Sequence, residues 1–264
     1  MSKSLKKRLN KKELTIGSWI QIGSPVVAEI MTQAGFDWLV VDMEHSAISI
    51  GDAQLLIQII DLSGCVPLVR LSSNDATLIK RVMDAGAHGI IVPNVNSEDD
   101  AVSAVKAVRY PPAGIRGVGL WRAQGYGYDF EKYKEWQAAE SVVIVQIEHI
   151  EGVNNLEAIL RTKGVDGFII GPYDLSASLG IPGEFEHSDF KNAIDKVNCV
   201  SRQMNALMGT HVVMPDVSEV KKKIEEGYRF IAFSIDTLFL GQSCRDGLKK
   251  MKIEYKMEHN ESWI

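Results

Sequence analysis

Two carboxylates and the chain between them suggest the first chemistry. Residues 142–147 are a short β-branched run ending on Glu148, and residues 166–170 are a second such run leading into Gly171-Pro172-Tyr173-Asp174. Between them, Val153, Leu156, Ile159 and Leu160 recur at helical spacing over 151–162, and Gly164 follows as a stop. Strand, helix, strand places Glu148 and Asp174 just past the carboxyl ends of consecutive parallel strands, the edge at which α/β folds bind ligands. Two hard oxygen ligands leave most of an octahedral shell free. That suits Mg²⁺ or Mn²⁺ bound together with water and a chelating substrate, and Co²⁺ fits the same donors. On this stretch alone a plainer reading stays open, with Glu148 a helix-start acid and Asp174 an N-cap.

Asp42, His45 and Arg70 fall at comparable places, at or just after the ends of apolar runs at 38–41 and 66–71. Taken singly, Asp42 reads as a loop cap, His45 as a surface histidine and Arg70 as a rim ion pair. Taken with Glu148 and Asp174 they form a set, because a barrel assembles its site from several strand ends. His88, His187 and His259 are assigned to structure or solvent. His149 faces away if Glu148 faces in, and His211 sits near the end of a seventh strand.

The elements needed to position that set recur along the whole chain. Strands are expected at 15–21, 38–41, 66–71, 88–92, 142–147, 166–170, 207–212 and 230–234. Helices are expected at 24–33 (Ser24 capping, Pro25 first), 52–62, 75–84 (Asn74 capping), 98–108, 151–162, 189–204 and 217–226, with a last one at 237–256. Eight such units predict a single (β/α)₈ barrel spanning 1–264, for which about 250 residues is typical. Residues 110–140 break the rhythm, being too long for an ordinary αβ connection. They hold five glycines with Arg116 and Arg122, but no strand–GxGxxG–helix context. A functional loop or lid is expected there.

The 264 residues carry a net charge of −5, which argues against a nucleic-acid surface. Three scattered cysteines fit reduced thiols in a cytoplasmic protein. The basic start MSKSLKKRLNKKEL lacks an apolar core and reads as a solvated first helix, and no run is apolar enough to span a membrane.

Asp42-Met43-Glu44-His45, Val69-Arg70-Leu71, Gln146-Ile147-Glu148 and Gly171-Pro172-Tyr173-Asp174-Leu175-Ser176 resemble the HpcH/HpaI family of class II pyruvate aldolases. Ala85-Gly86-Ala87 with Pro93, and Arg116-Gly117-Val118-Gly119, match in order and spacing. The resemblance covers roughly residues 15–245. It implies a barrel of the phosphoenolpyruvate/pyruvate type, usually a homohexamer with the last helix swapped between subunits. It also implies cleavage or formation of 4-hydroxy-2-oxo acids, with pyruvate and an aldehyde as partners. Carried over by motif, Glu148 and Asp174 hold the divalent metal, Arg70 contacts the pyruvyl oxygens, and His45 is the base, oriented by Asp42. Gln146 lines the site, and 171–174 offer backbone N–H groups to the pyruvate carboxylate, Pro172 excepted. Trp121 and Tyr173 stand where smaller residues are common and are expected to narrow the pocket.

The residue types agree with that chemistry. A 2-oxo acid chelates a metal that serves as a Lewis acid, a guanidinium stabilises a developing enolate, and an imidazole moves the hydroxyl proton. No lysine stands at an inner strand end for a Schiff base. Two other readings are a citrate-type synthase or acyl-CoA lyase on the same site, and a non-catalytic barrel that binds 2-oxo acids. The first lacks a clear basic pocket for CoA; the second predicts a metal site without turnover. The final helix carries Leu238, Leu240, Leu248, Met251 and Tyr255, with Phe239 and Ile253 widening the apolar surface beyond one stripe. That surplus is expected to lie in a subunit interface, and the tail 258–264, with Trp263, either finishes that contact or is disordered.

Overall fold

Short apolar runs, most of them rich in β-branched residues, supply the eight strands, because a parallel strand buried on both faces has little polar side to show. In the computed structural model, which describes residues 4–259, these are β1 Thr15–Ile20, β2 Trp38–Asp42, β3 Val66–Arg70, β4 Gly89–Val92, β5 Val142–Ile147, β6 Gly167–Ile170, β7 Met208–Val212 and β8 Phe230–Ile235. Each pairs in parallel with the next, and β8 closes on β1. Alternation along the strands divides the core in two. Trp19, Trp38, Val40, Leu68, Ile144, Ile169 and Phe230 fill the barrel, with Trp38 stacked on Phe230 at 4.1 Å. Ile20, Leu39, Val41, Val69, Ile90, Val143 and Phe168 face the surrounding helices.

Those helices are α1 Leu5–Asn10, α2 Pro25–Gln33, α3 Ile50–Leu62, α4 Ala76–Ala85, α5 Glu98–Val108, α6 Phe130–Glu140, α7 Ile150–Asn154, α8 Leu156–Arg161, α9 Pro172–Ser178, α10 Ser188–Gln203, α11 Val217–Glu226 and α12 Asp236–His259. Several differ from expectation for local reasons. The helix expected at 151–162 is two, broken at Asn155, whose side chain donates to the Asn96 carbonyl at 2.7 Å. Asp75 caps α4 by accepting from Leu78 N–H at 2.7 Å, while Asn74 donates to the Asp100 carbonyl. Ser24 stands at the N-cap of α2 but makes no side-chain capping bond. The basic first helix is not simply solvated: Leu5 and Leu9 are buried against the barrel's interior cluster, and Lys6 pairs with Asp166.

Residues 110–140 do not form a lid over the catalytic end of their own chain. A connection from a helix to the next strand lies at the amino-terminal end of the strands, opposite the ligand edge, and side chains anchor this one there. Arg116 Nη2 reaches Asp84 Oδ1 at 2.6 Å, Arg122 Nη2 reaches Asp61 Oδ2 at 2.6 Å, and Arg109 Nη1 donates to Ser141 Oγ at 2.6 Å. Within the segment a 3₁₀ stretch, Arg122–Gly127, precedes α6.

The last helix, α12, packs Phe239 on Phe36 and Phe233 and leaves Leu240, Leu248, Met251 and Ile253 exposed. Trp263 lies outside the described residues. Among those described, no helix is long and apolar enough to cross a membrane.

Candidate active site

Asp42 ends β2 and Arg70 ends β3, and the register of those strands sets them side by side. The carboxylate of Asp42, wholly buried, accepts from Arg70 Nε at 2.9 Å and Nη2 at 2.7 Å, a bidentate pair. Gln21 Nε2 adds a third bond at 2.9 Å. Burial alone would raise the Asp42 pKa, but the bonds and charge of Arg70, with Gln21 and the Glu44 amide, outweigh it and hold the group below its ordinary value. The guanidinium also lies 4.3 Å above the Trp19 ring. Arg70 is thereby fixed before any ligand arrives, as a preorganised oxyanion donor must be.

Asp42 does not orient the His45 imidazole, as the resemblance implied. Its oxygens are taken up by Arg70, Gln21 and main-chain N–H groups, including that of His45 itself at 3.3 Å. The carboxylate near the imidazole is that of Glu44, 3.9 Å from Nε2, and the His45 side chain is 58% exposed. Glu44 was given no role by sequence. Its Oε2 is buried without a hydrogen bond, although it approaches Arg70 Nε at 3.3 Å. Burial pushes the Glu44 carboxyl up to about 7; Arg70 opposes the rise, and the charges of Glu148, Asp42 and Asp174 add to it.

Glu148, just past β5, is almost fully buried. The Asn94 N–H donates to Oε1 at 2.7 Å, and the Gln146 amide, two residues back on the same face, donates to Oε2. Asn94 adopts φ 52°, a left-handed conformation that asparagine tolerates, to aim that amide. Burial raises the Glu148 carboxyl above its ordinary value; the two donors oppose this and the Asp174 charge adds to it. Gly171 makes room, since a Cβ there would sit 2.7 Å from Glu148 Oε2. Its own N–H is spent on the Ile147 carbonyl at 3.2 Å, so it is not free for a substrate carboxylate. The N–H groups of Tyr173 and Asp174, in the first turn of α9, have no acceptor within the helix.

A cavity of about 290 Å³ opens at this end of the barrel, lined among others by His45, Arg70, Gln146, Gly171, Pro172, Tyr173 and Asp174, with Trp19, Gln21 and His211 also in its wall. His211 packs on Trp19 at 5.4 Å, and burial, reinforced by the Arg70 charge, depresses its pKa to about 4. Its imidazole is neutral and forms part of the wall. Trp121 is not brought to this cavity within the chain. Its indole N–H donates to Gln54 Oε1 on α3 at 2.7 Å, and the side chain is half-exposed on the barrel's outside.

The donor set suits a hard divalent cation. The charges of Glu148, Asp42 and Asp174 raise Glu44, whose Oε2 is unpaired, and that of Asp174 raises Glu148, negative charge that a cation would offset. Among the described residues no three His, Cys, Asp or Glu side chains form a closed ligand cage.

A family model described as HpcH/HpaI aldolase/citrate lyase matches residues 15–242. A hydroxypyruvate/pyruvate aldolase of Paraburkholderia phytofirmans is 38% identical over 94% of this chain and 97% of its own. A 4-hydroxy-2-oxovalerate aldolase of Rhodococcus jostii is 38% identical over 90% of this chain and 92% of its own. The crystal structure of an HpcH/HpaI aldolase/citrate lyase family protein from Burkholderia cenocepacia superposes with a TM-score of 0.89 at 35% identity, covering 94% of this chain and 98% of that one.

Proposed function

Because the chain belongs to the HpcH/HpaI aldolase/citrate lyase family and is a carbon–carbon lyase of the pyruvate aldolase kind, we propose that the strand-end cavity cleaves or forms 4-hydroxy-2-oxo acids through the residues described above. The observation that carries this reading is the convergence of His45, Arg70, Gln146 and Asp174 on one cavity, with Glu148 beside Gln146. Glu148 and Asp174 would hold the divalent ion, Mg²⁺ or Mn²⁺, with Co²⁺ also acceptable to these oxygens. When bound, it supplies Lewis-acid polarisation of the 2-oxo acid's oxygens.

The rest is the work of the chain. Free amides of Tyr173 and Asp174 receive the substrate carboxylate, while Gly171 keeps the space beside Glu148 clear. Arg70, locked by Asp42, donates to the keto oxygen and gains strength as that oxygen takes up charge. His45 removes the 4-hydroxyl proton in cleavage and returns it in condensation. Tyr173 narrows the mouth; Trp121, on the outer wall, could reach a substrate only on a neighbouring subunit. The test is a panel of 4-hydroxy-2-oxo acids assayed for pyruvate release with and without EDTA. Metal-dependent release from at least one substrate is expected; no release from any member overturns the reading.

His45→Ala should lower kcat by about 10²–10⁴, with little change in pyruvate binding, because Arg70 is held by Asp42 and not by the imidazole. Wild-type kcat in that variant removes His45 from the mechanism.

Assembly belongs to the same proposal. The apolar residues that α12 leaves exposed, Leu240, Leu248, Met251 and Ile253, would be covered by a neighbouring subunit in a closed homohexamer with this helix exchanged. Light scattering should give a mass several times the 29.2 kDa of one chain, and deletion from Thr237 onward should lower it. An active, monodisperse monomer at micromolar concentration is the contrary result.

A further inference from the structure

Gln21, immediately after β1, is held at both ends. Its main-chain N–H donates to both Asp236 oxygens, at 3.1 and 3.0 Å, and the next N–H, of Ile22, donates to the same carboxylate at 2.8 Å. Its side-chain Nε2 donates to Asp42 Oδ2 at 2.9 Å. Asp42 is an ionised group that only accepts, so only the NH₂ side of the amide can face it. A flipped amide would set Oε1 against a carboxylate oxygen. The carbonyl side therefore turns away from Asp42. Gln21 belongs to the cavity wall together with Arg70 and His45. Its Oε1 accepts no hydrogen bond from any described residue, and it is not among the buried unpaired atoms, so it is open to solvent or ligand.

The mechanism above uses the other polar groups of this wall. Arg70 and the Tyr173 and Asp174 amides donate to the 2-oxo acid, the Gln146 amide is committed to Glu148, Asp174 serves the cation, and His45 takes the reacting hydroxyl. A fixed, neutral acceptor is left over. Its complement is a hydroxyl that does not itself react. We propose that Gln21 is a specificity-determining residue: its Oε1, aimed by Asp42, accepts a hydrogen bond from a substrate hydroxyl, so that the enzyme prefers hydroxylated partners to their deoxy counterparts. The proposal rests on the aldolase reading. The hydroxyl has two possible sources, C3 of the 2-oxo acid or the carbon next to the aldehyde, and the test separates them.

Full-length, metal-loaded enzyme is assayed for condensation in two arms. One compares hydroxypyruvate with pyruvate as donor to a common aldehyde; the other compares glycolaldehyde with acetaldehyde as acceptor for pyruvate. The readout is the hydroxylated-to-deoxy ratio of kcat/KM, which general loss of structure does not move in a set direction. Gln21→Met removes both the acceptor and the bond to Asp42. Gln21→Lys removes the acceptor but can still donate to Asp42. In one arm the ratio should fall about tenfold in both variants, the scale of one neutral hydrogen bond. Ratios within twofold of wild type in both arms overturn the proposal, as does a wild-type enzyme that prefers the deoxy member in both, a result that needs no variant. If wild type turns over pyruvate pairs while the ratios stay fixed, this inference alone fails. If it turns over no pair, the aldolase reading fails with it.

Discussion

Glu148→Gln is expected to abolish metal-dependent turnover while leaving the fold at least as stable as wild type in the absence of metal. The exchange keeps the carbonyl oxygen that accepts from Asn94 and the volume that Gly171 leaves open, and the Gln146 amide, turned over, accepts from the new NH₂ instead of donating. It removes a buried negative charge that other carboxylates already oppose. Metal-free wild type carries that unfavourable charge and the variant does not, so the variant's melting temperature without metal should equal or exceed the wild-type value. With metal the order reverses, because only wild type gains stability by binding it. Asp174→Asn should likewise lose turnover, with a smaller effect on metal-free stability since its side chain is exposed. Melting curves with and without Mn²⁺, beside turnover assays, check both. Full activity of wild type after exhaustive chelation contradicts the metal assignment.

Arg70→Ala should damage binding, turnover and stability together. The substitution strips Asp42 of its bidentate partner in a fully buried position, and a lone buried charge of this kind costs about 3–5 kcal/mol. It also removes the donor assigned to the keto oxygen, so kcat/KM should fall by about 10³ or more, with kcat and KM both affected. Arg70→Lys separates the two effects. It restores positive charge without the planar fork, and should recover stability more fully than rate. Urea midpoints and steady-state kinetics on the two variants decide the matter. Equal recovery of both by lysine would mean that charge alone matters at this position.

The parts of the site legible in sequence were those fixed by strand ends. Asp42, Arg70, Glu148 and Asp174 each follow an apolar run whose length is readable, and parallel order carries them to one edge. Residues whose role depends on a neighbour across the barrel were harder. Gln21 meets Asp42 because β1 and β2 are adjacent, but nothing in its own run distinguishes it from a turn residue. Glu44 lies in a loop, and its raised carboxyl comes from burial and from the nearby charges of Glu148, Asp42 and Asp174, which no local pattern announces. Trp121 was placed at the pocket by the family resemblance, in which smaller residues are common at its position. The segment's arginines tie it instead to helix ends at the far side of the barrel. Gly171 was credited with a hydrogen bond to substrate, whereas its amide serves the β5–β6 pairing and its missing side chain serves Glu148. The break at Asn155 was invisible because helical spacing continues through it; the side-chain bond to Asn96 comes from a distant loop.

The clasp that Asp236 makes on the amides of Gln21 and Ile22 has a consequence for the birth of the molecule. The residues it joins are 215 and 214 positions apart, at the seam where β8 completes the ring. Closing so long a loop is an entropic cost met only once β8 and Asp236 exist, and contacts of such sequence separation slow folding. On the ribosome, β1 must therefore wait with an unpaired edge until β8 emerges, a state open to misassembly with other strands. Gln21, and through it part of the setting of Asp42 and Arg70, is placed only at that closure. A nascent chain released before Asp236 would have its strands but an unfinished binding wall, so the competence of this enzyme waits on the residue that follows its eighth strand.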